Sequence, residues 1–402
     1  VGVLSPAGNT PDELWTALVE GKCGIERITH FDASAFYSQI AGTVKNFDPL
    51  DHFTPKEAKK MDPMSHYALV SARQAVRDSG IDLEKTDPTR IGVLYGSGIG
   101  GLTTIEQQHL VLLNRGPTRM SPFLIPTMII DMTAGQISME FGAKGPNFSI
   151  VSACATGSHT IGEAARIIAL GDADIVVSGA TEAAVTPLGL GGFSAMKALS
   201  RRNDDPEHAS RPFDLHRDGF VLAEGSATVV LEEMDHARAR GARIYGELIG
   251  YGLSGDAHHV TQPAPEGEGA VRSIRMALRH AGIEPGDVDY YNAHGTSTRF
   301  NDLFETKALK TVFGEDAYRL PVSSTKAITG HMLAAAGSAE LIAVLKAMEH
   351  GVIPPTWHYE TPDPECDLDY VPNEPRRADL GVCVSNSLGF GGHNATLVVR
   401  KV

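Results

Sequence analysis

Cysteine is scarce in this chain of 402 residues: there are four, at positions 23, 154, 366 and 383, and no two form a C-x-x-C pair. That spacing suggests neither a disulfide framework nor a zinc site, and it fits a reducing compartment. Long apolar runs are missing as well. No stretch reaches the roughly 18 consecutive apolar residues of a membrane-spanning helix, so no membrane insertion is expected. Basic residues are outnumbered, 35 Lys and Arg against 49 Asp and Glu, for a formal net charge of -14. A field of that sign argues against general binding to nucleic acid or anionic membranes, while leaving room for a local basic patch. The chain opens Val1-Gly2-Val3-Leu4 without a Met and shows no signal-peptide pattern. A few residues of a first strand are expected before it.

What is present is globular in composition, 42% apolar and 21% charged. The length suits two domains or two large halves, and a cut near Gly241 gives residues 1–241 and 242–402. Apolar strand runs alternate with helical periodicity throughout, which sets the class as α/β. Helices are expected over Pro63–Ser79, closed by Gly80, and over Asp131–Phe141, Gly269–Ala281 and Leu333–Glu349. Strands are expected at Ile91–Tyr95, Asp174–Gly179, Gly225–Glu232, Val288–Asn292, Leu320–Ser323, Leu380–Val384 and Thr396–Arg400. Gly189–Phe193 reads as a glycine loop and Arg201–Arg217 as a polar surface loop. Lys56, Lys59 and Lys60 are spaced as one helix face, which an ordinary solvated surface also explains.

Gly96-Ser97-Gly98-Ile99-Gly100-Gly101 matches G-x-G-x-x-G and follows a strand. A dinucleotide site needs an acidic residue about 20 positions on, closing a βαβ unit. The window Gly116–Pro126 holds no Asp or Glu and no second strand. The glycines are therefore read as a tight turn that projects Ile99.

The chemistry centres on Val151-Ser152-Ala153-Cys154-Ala155-Thr156-Gly157-Ser158. An apolar run, Phe148 to Val151, expected to be buried, precedes it, and a helical run, Ile161 to Leu170, follows. A strand that stops at small residues and then starts a helix is the context of a nucleophile elbow. A free thiol has a pKa of about 8.5, and a helix N-terminus behind it is expected to lower that value. Other strand ends carry Ala293-His294-Gly295-Thr296-Ser297-Thr298, then Ser324-Thr325-Lys326 with Gly330-His331, then Ser385-Asn386-Ser387-Leu388-Gly389-Phe390-Gly391-Gly392. Open α/β sheets present their sites at such ends.

These motifs, in this order and over the whole chain, resemble the β-ketoacyl-acyl-carrier-protein synthases, the condensing enzymes of fatty-acid synthesis. Gly98-Ile99-Gly100-Gly101 resembles the type II branch, where Ile lines the far end of the acyl pocket. The resemblance implies the thiolase fold: two similar halves in a five-layered αβαβα sandwich with mixed sheets. It implies that Cys154 is acylated from an acyl carrier protein, that His294 and His331 promote decarboxylation of the malonyl carrier protein, and that Lys326 holds charge near His331. The N–H groups of Cys154 and Phe390 would form an oxyanion hole, with Phe390 also a gate. Thr296 and Thr298 would bind the phosphopantetheine arm, and Ile99 and Phe193 the acyl chain. Lys56, Lys59, Lys60, Arg119 and Lys197 would dock the acidic carrier. No cofactor would be required. A structural Na+ or K+ would sit near Asn292, Ala293, Glu340, Ser385 and Asn386.

The family further implies a homodimer, with Phe148–Val151 near its seam, and a cytoplasmic setting, bacterial or else organellar. Bulky Arg299 and Phe300, where a Pro is common, stand at the pantetheine entrance, and His393 stands where Thr is frequent. Three rivals are weighed. A chain-length factor would lack the nucleophile. A thiolase would carry a second cysteine in a late glycine-rich loop, and neither Cys366 nor Cys383 lies in one. A polyketide ketosynthase is poorly separated by sequence.

Overall fold

The apolar runs of the first half assemble into one mixed sheet and those of the second half into another. In the computed structural model, which describes residues 1–402, the first sheet contains β1 (Gly2–Leu4), β2 (Ile91–Gly96), β3 (Asn147–Phe148), β4 (Ile175–Glu182) and β5 (Gly225–Glu232). Their spatial order is β1-β5-β4-β2-β3. The second sheet contains β6 (Glu247–Gly255), β7 (Tyr290–Asn292), β8 (Val322–Ser323), β9 (Val382–Gly389) and β10 (His393–Arg400), in the order β6-β10-β9-β7-β8. Counted from its own first strand, the second order repeats the first.

The pairing senses repeat too. First on fifth strand is antiparallel (Gly2 opposite Thr228, Tyr251 opposite Leu397), as is fifth on fourth (Glu232 opposite Ile175, Val398 opposite Val384). Fourth on second is parallel (Ile175 beside Ile91, Val384 beside Tyr291), as is second on third (Val93 beside Asn147, Tyr291 beside Val322). The fold therefore consists of two similar halves, as expected.

Helix α1 (Pro63–Ser79) covers the outer face of the first sheet, and α3 (Glu268–Ala281) with α4 (Arg299–Phe313) covers that of the second. Between the sheets lie α2 (Thr156–Ala169) and α5 (Ala336–His350), which completes the αβαβα layering of the thiolase fold. The local causes are plain. Asp62 caps α1, Pro63 occupies its first position, and Gly80 ends it at φ 63°. Every residue of β2 and β4 is buried, as befits strands covered on both faces. From Ala336 to Met348, α5 has no exposed position, and a helix buried all round belongs in the middle layer. The largest apolar core lies here, joining Ile161 of α2 and Ile342 of α5 to Val229 and Val399 of the two sheets.

Four expectations are corrected. Gly189–Phe193 is not a loop but lies inside the helix Pro187–Ala195, which Thr186 caps by accepting from the Gly189 N–H; a Thr-Pro start outweighs three glycines. The Arg201–Arg217 segment is irregular but not superficial. Arg211, Phe213, Asp214 and Arg217 are buried, because Arg217 pairs with Asp363 at 2.7 Å and Arg211 with Asp214 at 3.1 Å. Lys56, Lys59 and Lys60 share no long helical face, since their helix spans only Pro55–Ala58 before the turn into Asp62. Phe148 and Val151 are exposed rather than buried, at 44% and 52%, beside a two-residue strand at the sheet edge. A helix at Leu102–Arg115 was not foreseen; none of its residues is buried, so it leaves little apolar periodicity.

α2 and α5 approach through glycine. A Cβ on Gly157 would stand 2.8 Å from the Ala334 carbonyl oxygen, and one on Gly337 would stand 2.4 Å from Ser158 Oγ. Overpacking of this kind costs about 1–3 kcal/mol. Gly157→Ala should lower the urea unfolding midpoint accordingly; an unchanged midpoint would mean that the two helices are not in tight contact.

Candidate active site

β3 ends at Phe148, and the chain then turns through Ala153–Ala155 into α2. Ala153 takes φ 50°, and Thr156 closes the turn by accepting the Ser152 N–H at 2.9 Å and donating to the Ala153 carbonyl at 2.7 Å. This sets Cys154 at the head of α2, the residue only 7% exposed. The second half repeats the device: Leu333 takes φ 46° in the turn Leu333–Ala335 that leads into α5. Gly389 packs on the cysteine turn so closely that a Cβ there would sit 2.7 Å from the Ser152 carbonyl oxygen. The backbone N–H groups of Phe390 and of Cys154 itself lie near enough to the sulfur to favour its ionised form.

Two imidazoles from the second half meet this thiol across a cavity of about 470 Å³, which Cys154, His294, His331 and Phe390 line together. His294 follows β7. Its turn is held from behind by Glu305 of α4, which accepts the N–H groups of His294 at 2.8 Å and Gly295 at 2.9 Å. His331 is fixed by its own N–H to the Val221 carbonyl at 2.8 Å and by the edge of Phe220, with ring centroids 5.3 Å apart. The two imidazoles stand 5.3 Å apart at 83°. Lys326 is 1% exposed, and its ammonium donates to the His294 carbonyl at 2.6 Å, lies 3.4 Å from His294 Nδ1 and pairs with Glu340. The hydrogen-bond contacts of Lys326 are with His294 and Glu340, and its charge also acts on His331.

Burial dominates the electrostatics. Desolvation, then the Lys326 charge, hold both His294 and His331 well below the usual histidine value, so both rings are neutral donors near pH 7. Burial also pushes the Cys154 thiol up to about 12, against the opposing pull of Lys326 and the two N–H donors. The expected lowering by the helix is thus reversed, because the thiol sits in an apolar cluster with Leu190, Phe220 and Leu333.

Thr296 and Thr298 line the cavity and share a hydrogen bond of 2.9 Å between their hydroxyls. Arg299, Phe300, Phe193 and Lys197 also line it. Ile99 is not among its walls but packs, half-buried, against the apolar cluster of Cys154. Lys56, Lys59, Lys60 and Arg119 are exposed and stand apart from the cavity. Asn292, Ser385 and Asn386 lie buried on the paired strands β7 and β9, where Ser385 stands beside Asn292, and Ala293 lies buried just past the end of β7. Ser385 and Asn386 lie within β9 rather than beyond its end, since that strand runs on to Gly389. Two buried acceptors in this group have no hydrogen-bond partner: Asn292 Oδ1 and Glu340 Oε2.

Sequence reasoning missed Glu305 and Asp302, which hold the His294–Thr296 turn; Asp302 accepts the Thr296 N–H at 3.0 Å. Two acids in the first turns after a histidine-bearing strand end were the available signal. It also missed Phe220, Leu333 and Glu182.

A buried cysteine at the head of a helix and two imidazoles sharing one cavity between two repeated halves point to a condensing-enzyme class, and comparison supports it. Residues 1–237 match the family described as Beta-ketoacyl synthase, N-terminal domain, and residues 245–360 match Beta-ketoacyl synthase, C-terminal domain. The chain belongs to the beta-ketoacyl synthase family. It is 53% identical over 402 residues to a 3-oxoacyl-[acyl-carrier-protein] synthase 2 of Coxiella burnetii, covering all of this chain and 97% of that one. It is 51% identical over 401 residues to the protein of the same description from Staphylococcus aureus, again with 100% and 97% covered. Among solved structures, a beta-ketoacyl synthase from Burkholderia phymatum superposes with a TM-score of 0.93 at 33% identity, covering 100% of this chain and 98% of that one. A type II polyketide ketosynthase in complex with its acyl-carrier protein gives 0.92 at 35%, covering 100% and 97%.

A thiol raised to about 12 carries a testable pH signature. Iodoacetamide alkylation of Cys154 in the free protein should climb about tenfold per pH unit and still be rising at about pH 9. A plateau near pH 8.5 would show an ordinary solvated thiol.

Proposed function

We propose that the chain catalyses the decarboxylative Claisen condensation of malonyl-acyl carrier protein with an acyl chain held on Cys154. The products are β-ketoacyl-acyl carrier protein, CO2 and free carrier protein, and the reaction elongates fatty acids. The observation that carries this reading is the one cavity lined by Cys154, His294, His331 and Phe390. In the first stage Cys154 sulfur attacks the acyl thioester, the pantetheine sulfur leaves with the thiol proton, and the N–H groups of Cys154 and Phe390 hold the oxyanion. In the second, malonyl thioester binds with its thioester oxygen facing His294 and His331. The bond to the carboxylate breaks, CO2 leaves, and the electron pair passes to an enolate that the two neutral imidazoles stabilise by donating. The enolate carbon then attacks the acyl carbon, and the carbon–sulfur bond to Cys154 breaks, returning the sulfur for reprotonation. Lys326 acts through His294, holding its ring and its charge state.

Phe390, half-buried on a loop with Gly391 and Gly392 at φ 84° and 74°, gates the cavity and keeps water from the enolate. Thr296 and Thr298 hold the phosphopantetheine arm, with Arg299 and Phe300 reshaping its entrance, while Ile99 and Phe193 border the acyl chain. The orphaned oxygens of Asn292 and Glu340 fit a monovalent cation, which they would hold with Ala293, Ser385 and Asn386. Such a cation would supply fixed positive charge behind the Lys326 pair. No other cofactor is invoked. The halves divide near residue 241, one carrying the nucleophile and the other the imidazoles.

Identity of 51–53% to the 3-oxoacyl-acyl-carrier-protein synthases, against 35% to the polyketide ketosynthase, supports the fatty-acid role over the polyketide one. Cys366 and Cys383 are buried away from the cavity, which weighs against thiolase chemistry. A homodimer through the β3 edge is supported by exposed Phe148, Val151 and Met139. A bacterial, cytoplasmic setting is supported by the bacterial relatives and four unpaired thiols.

Cys154→Ala should abolish β-ketoacyl product, assayed by mass spectrometry of the carrier, yet still release CO2 from malonyl carrier; surviving condensation would exclude the covalent route. His294→Ala in that background should cut CO2 release by about 10²–10³, the scale of one lost oxyanion donor. Charge reversal at Lys56 and Lys60 should raise the apparent KM for carrier-bound substrate and leave Cys154 alkylation unchanged. Equal loss of both would contradict docking.

A further inference from the structure

Glu182 ends β4 and takes no part in the steps above, yet it is fully buried behind the cysteine turn. Its partners are N–H and O–H donors rather than a lysine or arginine. Oε1 accepts from the Ser97 hydroxyl at 2.8 Å and the Ile99 N–H at 3.2 Å. Oε2 accepts from the Gly98 N–H at 3.0 Å and the Ala334 N–H at 3.4 Å. Ser97 Oγ in turn accepts the Gly100 N–H at 3.0 Å, so the segment from Ser97 to Gly100 is held by this carboxylate directly or through Ser97. Its approach explains Gly98: a Cβ there would stand 2.8 Å from Glu182 Oε2.

The fourth donor comes from the other half of the molecule. Ala334 follows Leu333, whose φ of 46° is unfavourable for a branched side chain and persists only where neighbours impose it. Ile99 and Leu333 both pack in the apolar cluster that contains Cys154. A lone buried carboxylate is costly unless donors surround it. Here the donors it gathers belong to two turns that pack on the Cys154 cluster, one from each half.

We propose that Glu182 is a specificity-determining positioning residue: by clamping the Ile99 turn to the Leu333 turn, it sets the depth of the pocket that receives the acyl chain on Cys154. The inference rests on the proposed reading of Ile99 as the far wall of that pocket.

The test is kcat/KM for short and long acyl-carrier donors with the full-length protein. Glu182→Gln keeps the shape but turns an NH2 toward either Ser97 and Ile99 or Gly98 and Ala334, and so loosens the link between the two turns. The ratio of long to short donors should rise about tenfold, the size of one lost charge-assisted hydrogen bond. Ser97→Ala, which removes a single hydroxyl donor, should shift the ratio the same way by a smaller factor, and it decides the matter if Glu182→Gln does not fold. An equal change for all chain lengths, or an unmoved ratio in both variants, overturns the proposal. Ile99→Ala separates the two readings. If it shifts the ratio while Glu182→Gln and Ser97→Ala do not, the pocket stands and the clamp falls; if it leaves the ratio alone, the pocket reading falls and takes the clamp with it.

Discussion

One buried ammonium organises the site. Lys326 lies almost wholly out of water, where an unpaired charge would cost several kcal/mol. Glu340, fully enclosed on the central helix α5, offsets that cost, and the His294 carbonyl accepts a hydrogen bond from the same ammonium. The pair fixes where positive charge sits before any substrate arrives. Both imidazoles, already desolvated, are driven further toward neutrality by it, and the thiol is drawn back toward ionisation. A neutral ring donates an N–H to a developing oxyanion at less desolvation cost than a buried imidazolium, so the arrangement is prepared for an enolate rather than for a proton transfer to bulk water.

The two repeated halves supply this arrangement by differing at equivalent points. After the third strand position of each sheet, a turn with one residue in the left-handed region feeds a central helix. In the first half that turn presents Cys154. In the second it presents Leu333 and Ala334, which have no nucleophile to offer. Chemistry in the second half comes instead from the segments after β7 and β8, where His294, Lys326 and His331 stand. Close packing of α2 on α5 then decides the distance between the halves, and with it the width of the cavity.

Much of this was legible because each reactive side chain sits in a short, self-contained strand-turn segment of small residues. Cys154, His294, His331 and Phe390 could be read as strand-end residues, and they do share one cavity. What was hidden depends on contacts distant in sequence. The high thiol pKa follows from burial by residues 190, 220 and 333, none of which the cysteine motif discloses. Glu305 reads as a surface acid on an amphipathic helix until the His294 and Gly295 N–H groups are seen to point at it. The ion pairs that bury Arg211 and Arg217 reach to residues 360 and 363, so a polar stretch looked superficial. Glycines concealed the helix at Pro187–Ala195, because composition alone does not weigh a Thr-Pro cap against them.

The central claim, that burial and the Lys326 charge keep both imidazoles uncharged where the enzyme works, is open to direct measurement. Nitrogen-15 NMR of the histidine-labelled protein, assigned with His294→Ala and His331→Ala, reports ring charge between about pH 5.5 and 8. The account predicts that neither ring titrates in that window. A midpoint for either near the ordinary histidine value of about 6.5 would contradict it.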